Sequence, residues 1–276
     1  MESRTSMEGS ESRWIESITV ASADGTVIAV ERSGGGPPLV LDHGTTADHG
    51  DWRSVRPMLA EAFTVYAIDR RGRGQSGDAD EYALEREFED VAAVVESIDR
   101  PVILLGHSFG GLCSLEAALR TDNIATLVLY EPLVPVGVGE LVPPETLGQL
   151  ETLLSGDDRE AALVTFLREM VGISDEEIST IEGGPEWAAG LAAVHTVPRE
   201  SRGLDGYLFE PARFENLATT TILFVGSESP EYLRQFTESV AKVLPESRLV
   251  TLQGQGHTAM NTAPEEFTRT IVELLG

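Results

Sequence analysis

The 276-residue chain carries 46 acidic residues against 20 basic ones, a formal net charge of −26 at pH 7. Such a surplus repels phosphate backbones and anionic lipid, which excludes nucleic acid and charged membrane surfaces as partners. No apolar run approaches the ~20 residues that span a bilayer, and a lone cysteine, Cys113, excludes an internal disulfide or a cysteine-built metal site.

Residues 1–13 are polar and lack the apolar stretch of a secretory signal, so they are expected to form a disordered leader on a cytoplasmic protein. Residues 16–31 predict two strands around an Asp24-Gly25 turn, a hairpin signal. A short buried strand at 39–41 runs into Asp42; a helix is expected over 52–62 and the next strand over 63–68. Leu84, Phe88, Val91, Val94 and Val95 share one face of a helix over 84–98. A strand at 102–105, a turn at Ser108, a helix to 120 and a strand over 124–130 ending at Glu131-Pro132 follow. From about 135 to 216 one helical pattern succeeds another, and Ser174-Asp-Glu-Glu177 is a capping box that opens one of them. Alternation returns with a strand at 221–225 and a helix over 231–243, with Ser229 as its cap and Pro230 in its first turn. A strand at 247–252 and a last helix capped by Thr262-Ala-Pro-Glu265 complete the chain.

Repeated strand–helix alternation predicts an α/β fold, a mostly parallel sheet of about eight strands with helices on both faces. The core is expected over 14–134 and 217–276. Residues 135–216 would form a helical lid over the strand ends where ligands bind in such sheets.

The apolar run from Pro101 to Leu105 ends in Gly106-His107-Ser108-Phe109-Gly110, and a helical pattern starts at once. G-x-S-x-G between strand and helix places the serine on a sharp turn that lifts its hydroxyl clear of the sheet. A serine hydroxyl at its ordinary pKa is a poor nucleophile and needs a base. His257, in Gly254-Gln-Gly-His257, is the candidate. Gly72-Arg-Gly-Gln-Ser-Gly77 formally matches G-x-G-x-x-G. However, Asp78-Ala-Asp-Glu81 separates it from the next helix and no acidic residue ends the next strand, so it is not read as a dinucleotide site.

His43-Gly44-Thr45, Asp69-Arg-Arg-Gly-Arg-Gly-Gln-Ser76, Gly106-His-Ser-Phe-Gly110 and Gly254-Gln-Gly-His257 occur in the order of the α/β-hydrolase superfamily, which the chain resembles over about 17–276. The resemblance implies Ser108 as nucleophile, His257 as general base, and the amides of Thr45 and Phe109 as the oxyanion hole. It gives His43 a role in shaping the oxyanion turn, His107 one in packing beside the serine, and His49 and His195 surface or lid positions. It implies no metal and no organic cofactor.

The acid departs from the family pattern. The usual aspartate follows the strand after the lid, where this chain has Gly226-Ser-Glu-Ser-Pro-Glu231, with Ser229 at the expected site and Glu228 and Glu231 beside it. Some haloalkane dehalogenases of this fold take the acid from the strand before the lid, and Glu131 occupies that place. Glu131 is the expected orienting acid, Glu228 the alternative, and a dyad results if neither reaches His257. The expected activity is hydrolysis of small or medium carboxylic esters through an acyl-enzyme, with a small-molecule ester as partner. The alternatives are perhydrolysis by a cofactor-free haloperoxidase, hydrolysis of a lactone or C–C bond, or a non-catalytic ligand-binding protein. Lys242 is the only lysine, and the acidic, arginine-based surface resembles proteins of salt-loving organisms.

Overall fold

The computed structural model describes residues 15–137 and 141–276; the expected leader and the side chain of Glu177, half of the expected capping box, lie outside the described residues. Among the described residues one eight-stranded sheet runs in the order β1-β2-β4-β3-β5-β6-β7-β8. Its strands are β1 Ile15–Ala21, β2 Val27–Gly34, β3 Pro38–Asp42, β4 Thr64–Ile68, β5 Val102–His107, β6 Ile124–Tyr130, β7 Thr220–Gly226 and β8 Ser247–Leu252. β2 pairs antiparallel with β1 and β4, and every other pairing is parallel. Parallel strands need both faces covered, which the near-continuous apolar run of β5 records: Val102 and Leu104 enter one core, Ile103 and Leu105 the other.

The first core is completed by α2 (Leu84–Glu96), α3 (Ser108–Ala117) and α9 (Glu231–Val243), through Val91, Leu112 and Val240. The second is closed by α1 (Arg56–Leu59), α10 (Ala259–Thr262) and α11 (Pro264–Leu275), through Leu59, Met260 and Phe267. Full burial of such side chains contributes about 1.5–3 kcal/mol each. Between β6 and β7 lie α4 (Pro144–Ser155), α5 (Arg159–Thr165), α6 (Asp175–Ile181), α7 (Pro185–Ala193) and α8 (Val197–Gly206). This insertion has a core of its own, around Leu150, Leu163, Phe166 and Trp187.

Three local expectations change. The helix over 52–62 is a 3-10 turn, His49–Trp52, followed by the single turn α1, because Pro57 fits only a first turn and cannot continue a helix through itself. The N-cap of α9 is Pro230, whose carbonyl accepts from Leu233 and Arg234, while the buried Ser229 Oγ has no partner among the described residues. α11 starts from Ala263, because Thr262 already ends α10 and its hydroxyl bonds back to the Thr258 carbonyl at 3.3 Å. The glycines of 72–77 wrap an aspartate: the Gln75 amide donates to Asp69 Oδ2 at 2.8 Å, and a Cβ at Gly74 would collide with that carboxylate.

Candidate active site

β5 ends at His107 and α3 begins at Ser108, whose φ is +54°. A non-glycine residue there costs on the order of 1–3 kcal/mol and persists only where its surroundings hold it. The surroundings leave no room to relax, since a Cβ at Gly110 would strike the carbonyls of Asp42 and His43, and one at Gly106 would strike Ser114. Glu131, just after β6, shares the strain at φ +44°. Its amide donates to the Phe224 carbonyl at 3.1 Å, and the Leu133 amide donates to the Ser108 carbonyl at 2.9 Å, which ties the two strand ends together.

Glu131 is fully buried. Its Oε1 accepts from the Gly226 amide at 2.7 Å, and its Oε2 lies 2.5 Å from His257 Nδ1. A carboxylate can only accept here, so Nδ1 carries the proton and Nε2 is left with a free lone pair. Glu228 is exposed and its carboxylate takes the Ser227 hydroxyl at 3.2 Å. Of the two acids weighed from the sequence, Glu131 is the one at His257. Tyr130 steadies the histidine loop: its hydroxyl donates to the Gly256 carbonyl and accepts from the Ala259 amide at 3.1 Å.

Ser108, His257 and Thr45 line one cavity of about 770 Å³. The Phe109 side chain is buried under the Arg70 guanidinium, 4.2 Å from the ring centroid. Its amide is at the start of α3, where helix N–H groups have no intrahelical acceptor. The turn after β3 abuts the serine closely enough that a Cβ at Gly44 would stand 3.3 Å from the Ser108 Cβ. His43 fixes that turn. The Arg70 amide donates to its Nε2 at 3.2 Å, so its Nδ1 holds the proton and donates to the Gly44 carbonyl at 2.8 Å. Burial and the neighbouring Arg70 push His43 well below the usual imidazole range, which keeps it neutral.

Two features around the cavity were not foreseen from the sequence. Asp51 lines it, pushed up to about 6 by burial and bonded to Asn261 at 3.3 Å. A buried ionic network also ties the insertion to the sheet: Arg70 donates to Glu87 at 3.0 Å and to Glu200 of α8 at 2.6 Å, and Arg73 also donates to Glu200. The arginine-rich segment after β4 is the trace of that network in the sequence. Elsewhere His195 is exposed, with its ring against the Ala192 carbonyl. Asp48, His49 and Asp69 bring ligand-type atoms within 4.8 Å of one another. Their oxygens already hold the loop, since Asp48 accepts from the Gly50 amide and Asp69 from His49 and Gln75.

Similarity to known proteins follows the same lines. The pimeloyl-(acyl-carrier protein) methyl ester esterase of Aeromonas hydrophila is 27% identical over 258 residues, covering 90% of this chain and 99% of that protein. The 2-hydroxy-6-oxo-6-(2'-aminophenyl)hexa-2,4-dienoic acid hydrolase of Metapseudomonas resinovorans is 26% identical over 281 residues, covering 97% and 93%. The crystal structure of an alpha/beta hydrolase from Sphaerobacter thermophilus is 35% identical with a TM-score of 0.81, covering 94% of this chain and 100% of that one. Residues 39–270 match the model of the alpha/beta hydrolase family, and the chain belongs to that family.

Proposed function

We propose that the protein is a serine hydrolase that cleaves carboxylic esters of small or medium size through an acyl-enzyme. The observation that carries this reading is the 2.5 Å contact between His257 Nδ1 and Glu131 Oε2 beside a cavity that Ser108 also lines. His257 Nε2 takes the proton as Ser108 Oγ attacks the carbonyl carbon, and the buried Glu131 carboxylate stabilises the imidazolium that forms. The amides of Thr45 and Phe109 receive the developing oxyanion, each donor contributing about 3–4 kcal/mol to the transition state. The tetrahedral intermediate collapses, the leaving alcohol takes the proton from His257, and water hydrolyses the acyl-Ser108 ester by the same relay in reverse. The helices over 144–206 act as the lid of this site, and the acidic surface suits a salt-loaded cytoplasm.

Hydrolysis of a lactone or carbon–carbon bond is a second reading, supported by the similarity to the dienoic acid hydrolase. Perhydrolysis would use the same residues. A screen of short- to medium-chain esters with perhydrolysis in parallel, together with labelling of Ser108 by a serine-directed phosphonate, tests the assignment. A folded protein that turns over no ester and takes no label would be a ligand-binding protein on the same fold.

A further inference from the structure

Glu200 of α8 is 1% exposed and lines the cavity. Its Oε1 receives both guanidiniums, Arg70 at 2.6 Å and Arg73. Its Oε2 is equally buried but accepts no hydrogen bond from the described residues. A buried carboxylate oxygen without a donor is costly, because it has given up water for nothing. The same Arg70 reaches the Gly44 carbonyl at 3.3 Å. Glu200 therefore lies one guanidinium away from the turn that abuts Ser108 and carries Thr45.

Charge decides what could complete it. In the buried network Arg70 and Arg73 balance Glu87 and Glu200. Asp42 beside it is pushed up to about 8 by burial, against the pull of Arg70, and so is mostly uncharged at neutral pH. A neutral donor would satisfy Oε2 and leave the balance intact. An ammonium would add an uncompensated charge, and a carboxylate would be repelled. The rest of the wall gives a carboxylate no help, since Asp48, Asp51 and Glu186 line it too, and Arg53 is already paired with Glu186.

We infer that Glu200 is a specificity-determining residue that accepts a hydrogen bond from a hydroxyl on the acyl part of the ester, close to the scissile carbonyl. Hydroxy esters are then preferred and esters bearing a carboxylate are rejected. The inference rests on the ester-hydrolase reading above. A site built to bond a substrate hydroxyl discriminates against the analogue without it, because the buried acceptor is left unpaired.

The test compares methyl lactate with its isostere methyl isobutyrate and with the bulkier monomethyl methylmalonate, which put hydroxyl, methyl and carboxylate on one skeleton. Alanine methyl ester supplies the ammonium, and methyl β-hydroxybutyrate against methyl isovalerate repeats the comparison one carbon further out. Every rate is divided by that of the same ester in alkaline hydrolysis, which removes the inductive effect of the substituent. On that scale a hydroxy ester should exceed its methyl isostere in kcat/KM by roughly ten- to hundred-fold, the range of one hydrogen bond to a charged acceptor, with the carboxylate ester slowest. In Glu200→Gln the single amide oxygen is claimed by Arg70 and Arg73, so the NH2 takes the place of Oε2 and an acceptor becomes a donor. The hydroxyl-to-methyl ratio should then fall to near one whatever the absolute rates, which loosening of the insertion alone would not produce.

If Glu200→Gln does not fold, the wild-type ratios decide. Equal rates on hydroxy and methyl esters overturn this inference while leaving the ester reading intact. Faster turnover of alanine methyl ester or of the carboxylate ester overturns it as well. Activity on no ester, with no phosphonate label on Ser108, overturns both readings.

Discussion

The ring of His107 and that of His257 lie with centroids 4.5 Å apart, and His107 Nε2 is 2.8 Å from the His257 main-chain carbonyl. Burial, reinforced by the neighbouring His257, pushes His107 well below the usual imidazole range, so it is neutral and donates through Nε2. Its Nδ1 has no hydrogen-bond partner among the described residues, and Asp51 Oδ2 is 4.0 Å away. His107 thus positions the histidine rather than exchanging protons. His107→Phe keeps the ring and loses the donor, and kcat for ester hydrolysis should fall about five- to ten-fold, the worth of one neutral hydrogen bond. KM should change little and His107→Gln should recover part of the loss. A rise in KM alongside the fall in kcat would point to a direct substrate contact instead.

Ser108→Ala should remove ester hydrolysis, since loss of a triad nucleophile costs about 10⁶ in rate. Ser108 faces the cavity, so loss of its hydroxyl leaves no sealed void and circular dichroism should match the wild type. Substantial turnover by a folded variant would rule out the serine mechanism.

Glu131→Gln should lower kcat by about 10⁴, the cost of the comparable change in a serine protease. The amide oxygen can keep the Gly226 N–H, which leaves the NH2 facing His257 Nδ1 and imposes the wrong tautomer. Glu228→Gln should stay within about two-fold of wild type, as expected of an exposed surface substitution. The reverse ranking of these two variants would transfer the acid to the loop after β7.

Asp42 is buried, its carboxyl pushed up to about 8 mainly by desolvation. The folded form therefore holds its proton over a range in which the unfolded chain has released it. That stability is fully present below pH 3.8, the ordinary value, and is lost as pH rises through about 8. Asp42→Asn cannot ionise, so its melting temperature should gain on the wild type steadily from pH 4 to pH 8. Parallel melting curves across that range would contradict the buried neutral acid.

A net charge of −26 should make the protein depend on salt, because its surface carboxylates repel one another unless screened. The screening length is about 3 Å at 1 M salt and about 30 Å at 0.01 M. Melting temperature and ester turnover should both drop when molar KCl is exchanged for dilute buffer. A protein indifferent to that exchange has no halophilic surface.

What the amino-acid order determined by itself is what local physics reads. Strand and helix periods predict β3 to β8 and the helices α2, α3, α9 and α11, and the glycines around Ser108 mark the turn that carries it. What only the tertiary structure decided depends on partners far apart in the chain. Glu131 and Glu228 follow neighbouring strands of the sheet, and the choice between them rests on which carboxylate the loop after β8 meets, 126 residues from Glu131. Ser229 and Thr262 look like helix caps from their neighbours alone, but packing assigns one to a buried corner and the other to the end of α10. The Arg70–Glu200 contact spans 130 residues, and the isolated segments do not reveal which carboxylate it will recruit. Periodicity and turn chemistry act within a few residues. Burial and hydrogen-bond pairing across the sheet edge exist only once the strands are side by side.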